Sequence, residues 1–128
     1  MTSQAWRTLA ALAASALLAL ASPAEAETFP ARPIKLIVPW PTGGATDQVA
    51  RILADAMRKD LDQSVVVDNK PGATGRIGVD AVRAAVADGY TLVMAISSTH
   101  GIAAALNPKL PYDPVKDFTP IGLAAVGP

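Results

Sequence analysis

The stretch Ile34-Lys35-Leu36-Ile37-Val38-Pro39-Trp40-Pro41-Thr42-Gly43-Gly44-Ala45-Thr46-Asp47 decides how this chain folds. Its first five residues are mostly branched aliphatics, which reads as a short buried strand. Neither a strand nor a helix continues through Pro39 to Ala45, because two prolines withhold backbone donors and two glycines admit angles that other residues avoid. Thr46 or Asp47 is then expected to cap a helix from about 47 to 61. There Val49, Ala50, Leu53, Ala56, Met57 and Leu61 recur at helical spacing, while Gln48, Arg51, Asp55, Arg58 and Lys59 fall mostly on the other side.

Downstream the pattern repeats. Val65-Val66-Val67 reads as a second strand, closed by the turn cluster Asp68 to Gly72 and a flexible Ala73-Thr74-Gly75. From Arg76, the positions Ile77, Val79, Ala81, Val82, Ala85 and Val86 trace a second helix that stops at Asp88-Gly89. A third strand spans 90–96, a small polar run follows from Ser97 to Gly101, and a short Ala-rich helix from Ile102 to Leu106 precedes Asn107-Pro108. Residues 118–126 read as the start of one more strand. The order β-α-β-α-β requires an α/β fold: a parallel sheet with right-handed crossovers, flanked by helices.

Residues 1–26 stand apart from this pattern. Arg7, the apolar run from Leu9 to Ala21 and the tripeptide Ala24-Glu25-Ala26 have the order of a secretory signal peptide, with cleavage expected after Ala26. The apolar run is about 13 residues, short of the roughly 20 that a membrane-spanning helix needs. Cleavage leaves 102 of the 128 residues, beginning at Glu27. With eleven basic and eleven acidic side chains the formal charge is zero, which removes the long-range attraction to nucleic acid. The absence of cysteine excludes disulfides, thiol nucleophiles and Cys-ligated metals, and the single histidine, His100, excludes multi-histidine metal sites. An exported chain without cysteine fits a bacterial periplasm.

In open parallel sheets, ligands sit outside the carboxyl ends of the strands. Three loops are expected there: 39–47, 69–75 and 97–101. All are rich in small or short polar residues, which keep backbone N–H groups approachable, and the first feeds a helix N-terminus that favours an anion. Such a pocket suits a carboxylate or another small oxyanion. Gly43 and Gly44 match neither the phosphate-binding nor the dinucleotide-binding glycine pattern, so no nucleotide cofactor is expected. The pair reads equally as a plain strand-to-helix turn. Asp47 is either the helix N-cap or a group that orders the loop or accepts a hydrogen bond from a ligand. Trp40, placed as an exposed residue between two prolines, is either a surface anchor or an aromatic lid. Asn69 and Thr74 are either turn-forming side chains or ligand contacts. His100 beside Ser97, Ser98 and Thr99 invites a hydrolase reading, but there is no G-x-S-x-G elbow and no evident orienting acid. It reads better as a hydrogen-bond donor to a ligand or as a helix-capping side chain.

The same motifs, taken in order, resemble the N-terminal part of the periplasmic receptors of tripartite tricarboxylate transporters, the Bug family. The matching stretches are Phe29 to Ile34, Ile37 to Asp47, Val65 to Gly75, Ala87 to Leu92 and Leu110 to Phe118. The resemblance implies a two-lobed solute-binding protein of the type II periplasmic binding fold. Such a protein closes around a small organic acid and delivers it to the permease subunits of a membrane transporter, with no enzymatic step, cofactor or metal. It also implies that backbone groups and ordered water between the first two loops hold the ligand's carboxyl group. On this chain that points to Trp40, Thr42, Gly43, Gly44, Ala45, Thr46 and Asp47, to Asn69, Gly72, Ala73 and Thr74, and to Ser97, Thr99 and His100 as a third wall. Trp40 stands where the family commonly has phenylalanine, and Thr42 and Ala45 where proline and glycine are usual. On this resemblance 27–128 is a first lobe, incomplete without its partner. Two lobes of ordinary size need about 200 to 300 residues. The isolated chain is therefore expected to bind weakly or not at all, and a truncated, non-binding product or a periplasmic enzyme for small carboxylates are the other readings.

Overall fold

A computed structural model describes residues 28–126, so the expected signal segment lies outside the described residues. Three parallel strands form the sheet: β1 (Ile34–Val38), β2 (Val65–Asn69) and β3 (Thr91–Val93), in the order β2-β1-β3. Helix α1 (Ala45–Leu61) connects β1 to β2, and helix α2 (Arg76–Arg83) connects β2 to β3. This is the expected α/β arrangement. The register runs from Ile34 opposite Val65 to Val38 opposite Asn69 on one side of β1, and from Lys35 opposite Thr91 to Ile37 opposite Val93 on the other.

Because β1 is central, its residues are covered on both faces, and Ile34, Leu36, Ile37 and Val38 are all buried. The chain leaves β1 in one direction to reach β2 and returns past it to reach β3, so right-handed crossovers put α1 and α2 on opposite faces. Leu36 and Val38 pack with Ala50 of α1 and with Met94. The small Ala50 and Ala54 let this helix approach the sheet closely, and Val49 and Leu53 complete its apolar face. Val79 is the fully buried anchor of α2.

Several boundaries differ from the sequence reading. Helix α1 begins at Ala45, two residues early, and its N-cap is Gly44 with no side-chain cap from Thr46 or Asp47. β2 runs on to Asn69, because Val38 still offers it a partner. Helix α2 stops at Arg83, where the N–H of Ala85 bonds to the carbonyl of Val82 and tightens the last turn. Val86, expected on its buried face, is 77% exposed. β3 is only three residues long because its partner β1 ends at Val38; the N–H of Met94 makes one more bond, to the carbonyl of Ile37. Ser97–Ile102 form a wide π-type turn that leads into helix α3 (Ala103–Leu106). Residues 118–126 are not a strand: no partner lies beside them among the described residues, and Ile121, Leu123 and Val126 are each more than 80% exposed.

Candidate functional site

Two backbone hydrogen bonds fix the loops at the carboxyl end of the sheet. The carbonyl of Val38 accepts from the N–H of Lys70 at 2.8 Å, and that of Ile37 accepts from Met94 at 2.8 Å. The loops after β2 and β3 are thereby held on either side of Pro39, where the first loop begins. The order β2-β1-β3 makes this the switch point of the sheet, the place where open α/β folds bind ligands.

Pro39 is buried, and the other loops press directly on it. A Cβ on Gly75 would stand 2.7 Å from Cγ2 of Thr99 and 3.3 Å from Cβ of Pro39. One on Gly78, inside α2, would stand 2.9 Å from Cα of Pro39 and 3.0 Å from the carbonyl of Lys70. The three loops therefore meet at van der Waals contact only because both positions lack a side chain. Gly72, Ala73, Thr74 and Gly75 all have positive φ, at 125°, 48°, 57° and 88°. For Ala73 and Thr74 this left-handed backbone costs about 1–2 kcal/mol each. Strain of this kind persists only where packing over-determines it, and here Gly75 is clamped between Pro39 and Thr99.

The first loop is held from beneath. Asp47 is 2% exposed and does not cap its helix. One carboxylate oxygen, Oδ2, accepts from the N–H of Gly43 at 2.8 Å and from Nε of Arg51 at 3.0 Å. The other, Oδ1, accepts from Nδ2 of Asn69 at 2.9 Å. That same amide nitrogen donates to the carbonyl of Trp40 at 3.0 Å, and Nη2 of Arg51 donates to the Asn69 carbonyl oxygen at 3.3 Å. The hydrogen bond from Arg51, then the Gly43 N–H, hold the Asp47 carboxyl at a pKa of about 2 against an ordinary 3.8. With its carboxylate turned this way, no side chain caps α1, whose first N–H groups face the loop.

The third loop is closed by aromatic packing. Thr99 is buried; its hydroxyl accepts from the N–H of Ile96 at 3.2 Å, donates to the Ile96 carbonyl at 3.0 Å, and lies 3.0 Å from Nδ1 of His100. Tyr112 donates its hydroxyl to the carbonyl of Thr99 at 2.6 Å. The His100 ring packs edge-on against Phe118 at 4.9 Å, and burial lowers its pKa. Its Nε2 is buried without a partner, as are Nε1 of Trp40 and Oγ of Ser98.

The sequence-predicted residues thus divide into two groups. Thr42, Gly43, Gly44, Ala45, Gly72, Ala73, Thr74 and Ser97 are exposed on the rims of the loops, and Thr46 is half-buried. Asp47, Asn69 and Thr99 spend their side chains on internal hydrogen bonds. Trp40, expected between two prolines as an exposed residue, is half-buried and packs on the core of Leu36, Val38, Ala50 and Met94. The charges beside the loops are paired: Asp47 with Arg51, Lys70 with Asp68 at 3.4 Å, and Arg76 with Asp80 at 3.9 Å. A Ser/His hydrolase geometry is absent from these residues, since the hydroxyl nearest the imidazole is the buried one of Thr99. Two open grooves lie elsewhere: one of about 590 Å3 around Leu110, Pro111 and Tyr112, and one of about 420 Å3 around Arg58, Asp62 and Ser64.

Sequence reasoning passed over Arg51, Gly78 and Tyr112. The i, i+4 spacing of Asp47 and Arg51 could have signalled the ion pair, and a glycine inside a helical pattern could have signalled a close approach. Nothing local marks Tyr112, which reaches Thr99 across 13 residues.

Comparison with known proteins places these features in a family. The model of the tripartite tricarboxylate transporter family receptor matches residues 49–128. The BugT protein of Bordetella pertussis is 46% identical over 105 residues, which is 81% of this chain and 32% of that protein. A protein from the tcbD-tcbE intergenic region of a Pseudomonas species is 44% identical, over 80% of this chain and 30% of its own length. Among solved structures, MatC of Rhodopseudomonas palustris with bound malate is 46% identical, with a TM-score of 0.69 over 72% of this chain and 31% of that one. A protein described as a periplasmic transporter superposes with a TM-score of 0.67 at 46% identity, over 70% of this chain and 30% of its own. A second R. palustris protein, solved with adipate, is 39% identical, with a TM-score of 0.51 over 52% of this chain and 22% of that one. The chain spans about one third of the length of the curated relatives it matches.

Proposed function

This chain belongs to the tripartite tricarboxylate transporter family of receptors, and from that membership we propose that it is the ligand-gripping lobe of a periplasmic receptor for a small organic acid. In this reading residues 1–26 are a signal peptide cleaved after Ala26. Residues 27–128 form the first lobe of a two-lobed protein, which hands its ligand to the permease subunits of a membrane transporter. No residue is asked to do chemistry.

The observation that carries the reading is the convergence of the three loops on Pro39, where Gly75 and Gly78 bring backbone within contact distance. The exposed rims at Thr42 to Ala45, at Gly72 to Thr74 and at Ser97 offer backbone donors and short side chains in place of a cationic side chain. A carboxylate there is bound by N–H dipoles, helped by the positive end of α1. Half-buried Thr46 and His100 flank these rims, while Trp40, Asp47, Asn69 and Thr99 shape them from behind. Two relatives were solved with dicarboxylates, malate and adipate, which supports a ligand of that class. The lobe alone presents one side of the cleft, so tight binding requires the second lobe to exclude water.

The test is a thermal-shift and calorimetric screen of small mono-, di- and tricarboxylates on the protein at the full length its gene encodes. At a hundred times its dissociation constant, a bound acid adds about 2.7 kcal/mol of stability and raises the melting temperature measurably. Failure of every carboxylate to shift melting overturns the reading, as does turnover of any of them.

A further inference from the structure

Asp47 creates an electrostatic problem for a site that takes anions. Its carboxylate is required beneath the first loop, because it binds the Gly43 N–H at 2.8 Å and the Asn69 amide at 2.9 Å, and through Asn69 the Trp40 carbonyl. It is ionised at neutral pH. It also sits one helical turn or less from the rim residues Gly43 to Thr46, so an uncompensated charge there would repel a bound carboxylate and offset the dipole of α1. Arg51 is placed against this charge. Its Nε donates to Oδ2 of Asp47 at 3.0 Å, its Nη2 donates to the Asn69 oxygen at 3.3 Å, and half of its side chain remains exposed to water. A forked guanidinium suits this double contact better than an ammonium does.

Resting on the reading of this cleft as a carboxylate site, we propose that Arg51 is a positioning and specificity residue, which cancels the Asp47 charge so that a loop built on a carboxylate accepts an anionic ligand. Arg51 does not touch the ligand. It acts by leaving the field of the α1 N-terminus uncancelled at the rim, and it ties the end of β2 to the first loop through Asn69. Two other cations beside the loops, Lys70 and Arg76, are paired with Asp68 and Asp80.

A unit charge acting over roughly 8 Å through an effective dielectric of about 40 changes affinity about fivefold per ligand carboxylate, and a farther second carboxylate brings the effect to about tenfold for a dianion. The experiment titrates malate and adipate into the protein at the full length its gene encodes, at low salt and at about 0.5 M salt. Arg51→Gln is expected to weaken binding about tenfold at low salt, with the loss shrinking at high salt as the charge is screened. Asp47→Asn/Arg51→Gln, which removes both charges but also one acceptor that braces the first loop, is expected to regain the salt dependence of the parent, whatever affinity the lost brace costs. Arg51→Lys is expected to stay within about threefold of the parent. A loss in Arg51→Gln that is independent of salt, or a double variant that keeps the salt dependence of Arg51→Gln, overturns the inference and leaves Arg51 a structural residue. If the parent protein binds neither acid, the carboxylate reading fails for these ligands and the inference fails with it.

Discussion

Substituting Gly78 by alanine sets two effects of opposite sign against each other. In an exposed helix interior the change stabilises by about 1 kcal/mol, because alanine loses less backbone entropy than glycine. Gly78 is instead buried in α2, and a Cβ there would lie 2.9 Å from Cα of Pro39, 3.0 Å from Cβ of Pro39 and 3.0 Å from the carbonyl of Lys70. Two of these three atoms are backbone, and each is fixed. The carbonyl of Val38, just before Pro39, accepts from the N–H of Lys70, so neither atom yields without breaking the ladder at the end of β1. Overpacking of this kind costs about 1–3 kcal/mol, and backbone neighbours place it at the upper end. The net expectation is a loss of about 1–2 kcal/mol, which in a domain of this size lowers the melting midpoint by roughly 5–15 °C. Urea unfolding followed by circular dichroism measures it, with unchanged m-value as the sign that only stability has moved. Because the helix must lift from Pro39, organic-acid affinity should fall in parallel. A variant that melts at or above the parent temperature would refute the claim that close approach, rather than helix geometry, requires glycine here.

Tyr112→Phe removes the 2.6 Å hydrogen bond to the Thr99 carbonyl; it should cost about 1 kcal/mol in thermal melts and speed amide exchange across 97–102. Burial lowers the His100 pKa below its ordinary 6.5, so the folded state holds fewer protons than the unfolded one and stability should fall as pH drops below about 6.5. His100→Phe should flatten that slope in melts taken between pH 7 and pH 5, and an unchanged slope would assign it to other groups. The Asp47 pKa is lowered, so its contribution is full above the ordinary carboxylate range and is lost as pH falls from about 4 towards 2. Asp47→Asn should melt earlier than the parent at pH 7 and lose that part of the acid dependence. N-terminal sequencing of the exported protein should read Glu27 first; a chain still beginning at Met1 contradicts cleavage after Ala26.

Much of the architecture was legible because it rests on local signals. The run Ile34 to Val38 can bury both faces only as a central strand, and the proline-glycine loop that follows forces a change of element. The apolar periodicity of α1 matched its packing in part: Ala50 faces the core with Val49 and Leu53 beside it, but Ala56, counted on that face, is exposed, and Ala54, left out of it, is buried. Boundaries were less legible, because they depend on partners. Asn69 and Met94 gain or lose strand hydrogen bonds according to where β1 ends, and residues 118–126 carry strand-like composition but have no strand beside them among the described residues.

For the candidate site, the sequence by itself determined which loops gather. Glycines, short polar residues and prolines that follow three parallel strands gather at the carboxyl edge of the sheet, since parallel strands all end on the same edge. What each side chain does there was decided by tertiary structure alone. Asp47 could be read as a cap, a loop brace or a ligand contact; the bonds to Gly43, Arg51 and Asn69 make it the brace. Trp40 packs inward because the core beneath it includes Met94, more than fifty residues away in sequence. Gly78 is required not by its own helix but by Pro39 and the Lys70 carbonyl pressing on it, and Gly75 both by its left-handed backbone and by the approach of Thr99 and Pro39. Hydrogen-bond satisfaction and steric contact are properties of neighbours in space, and a sequence specifies those neighbours only after the chain has folded.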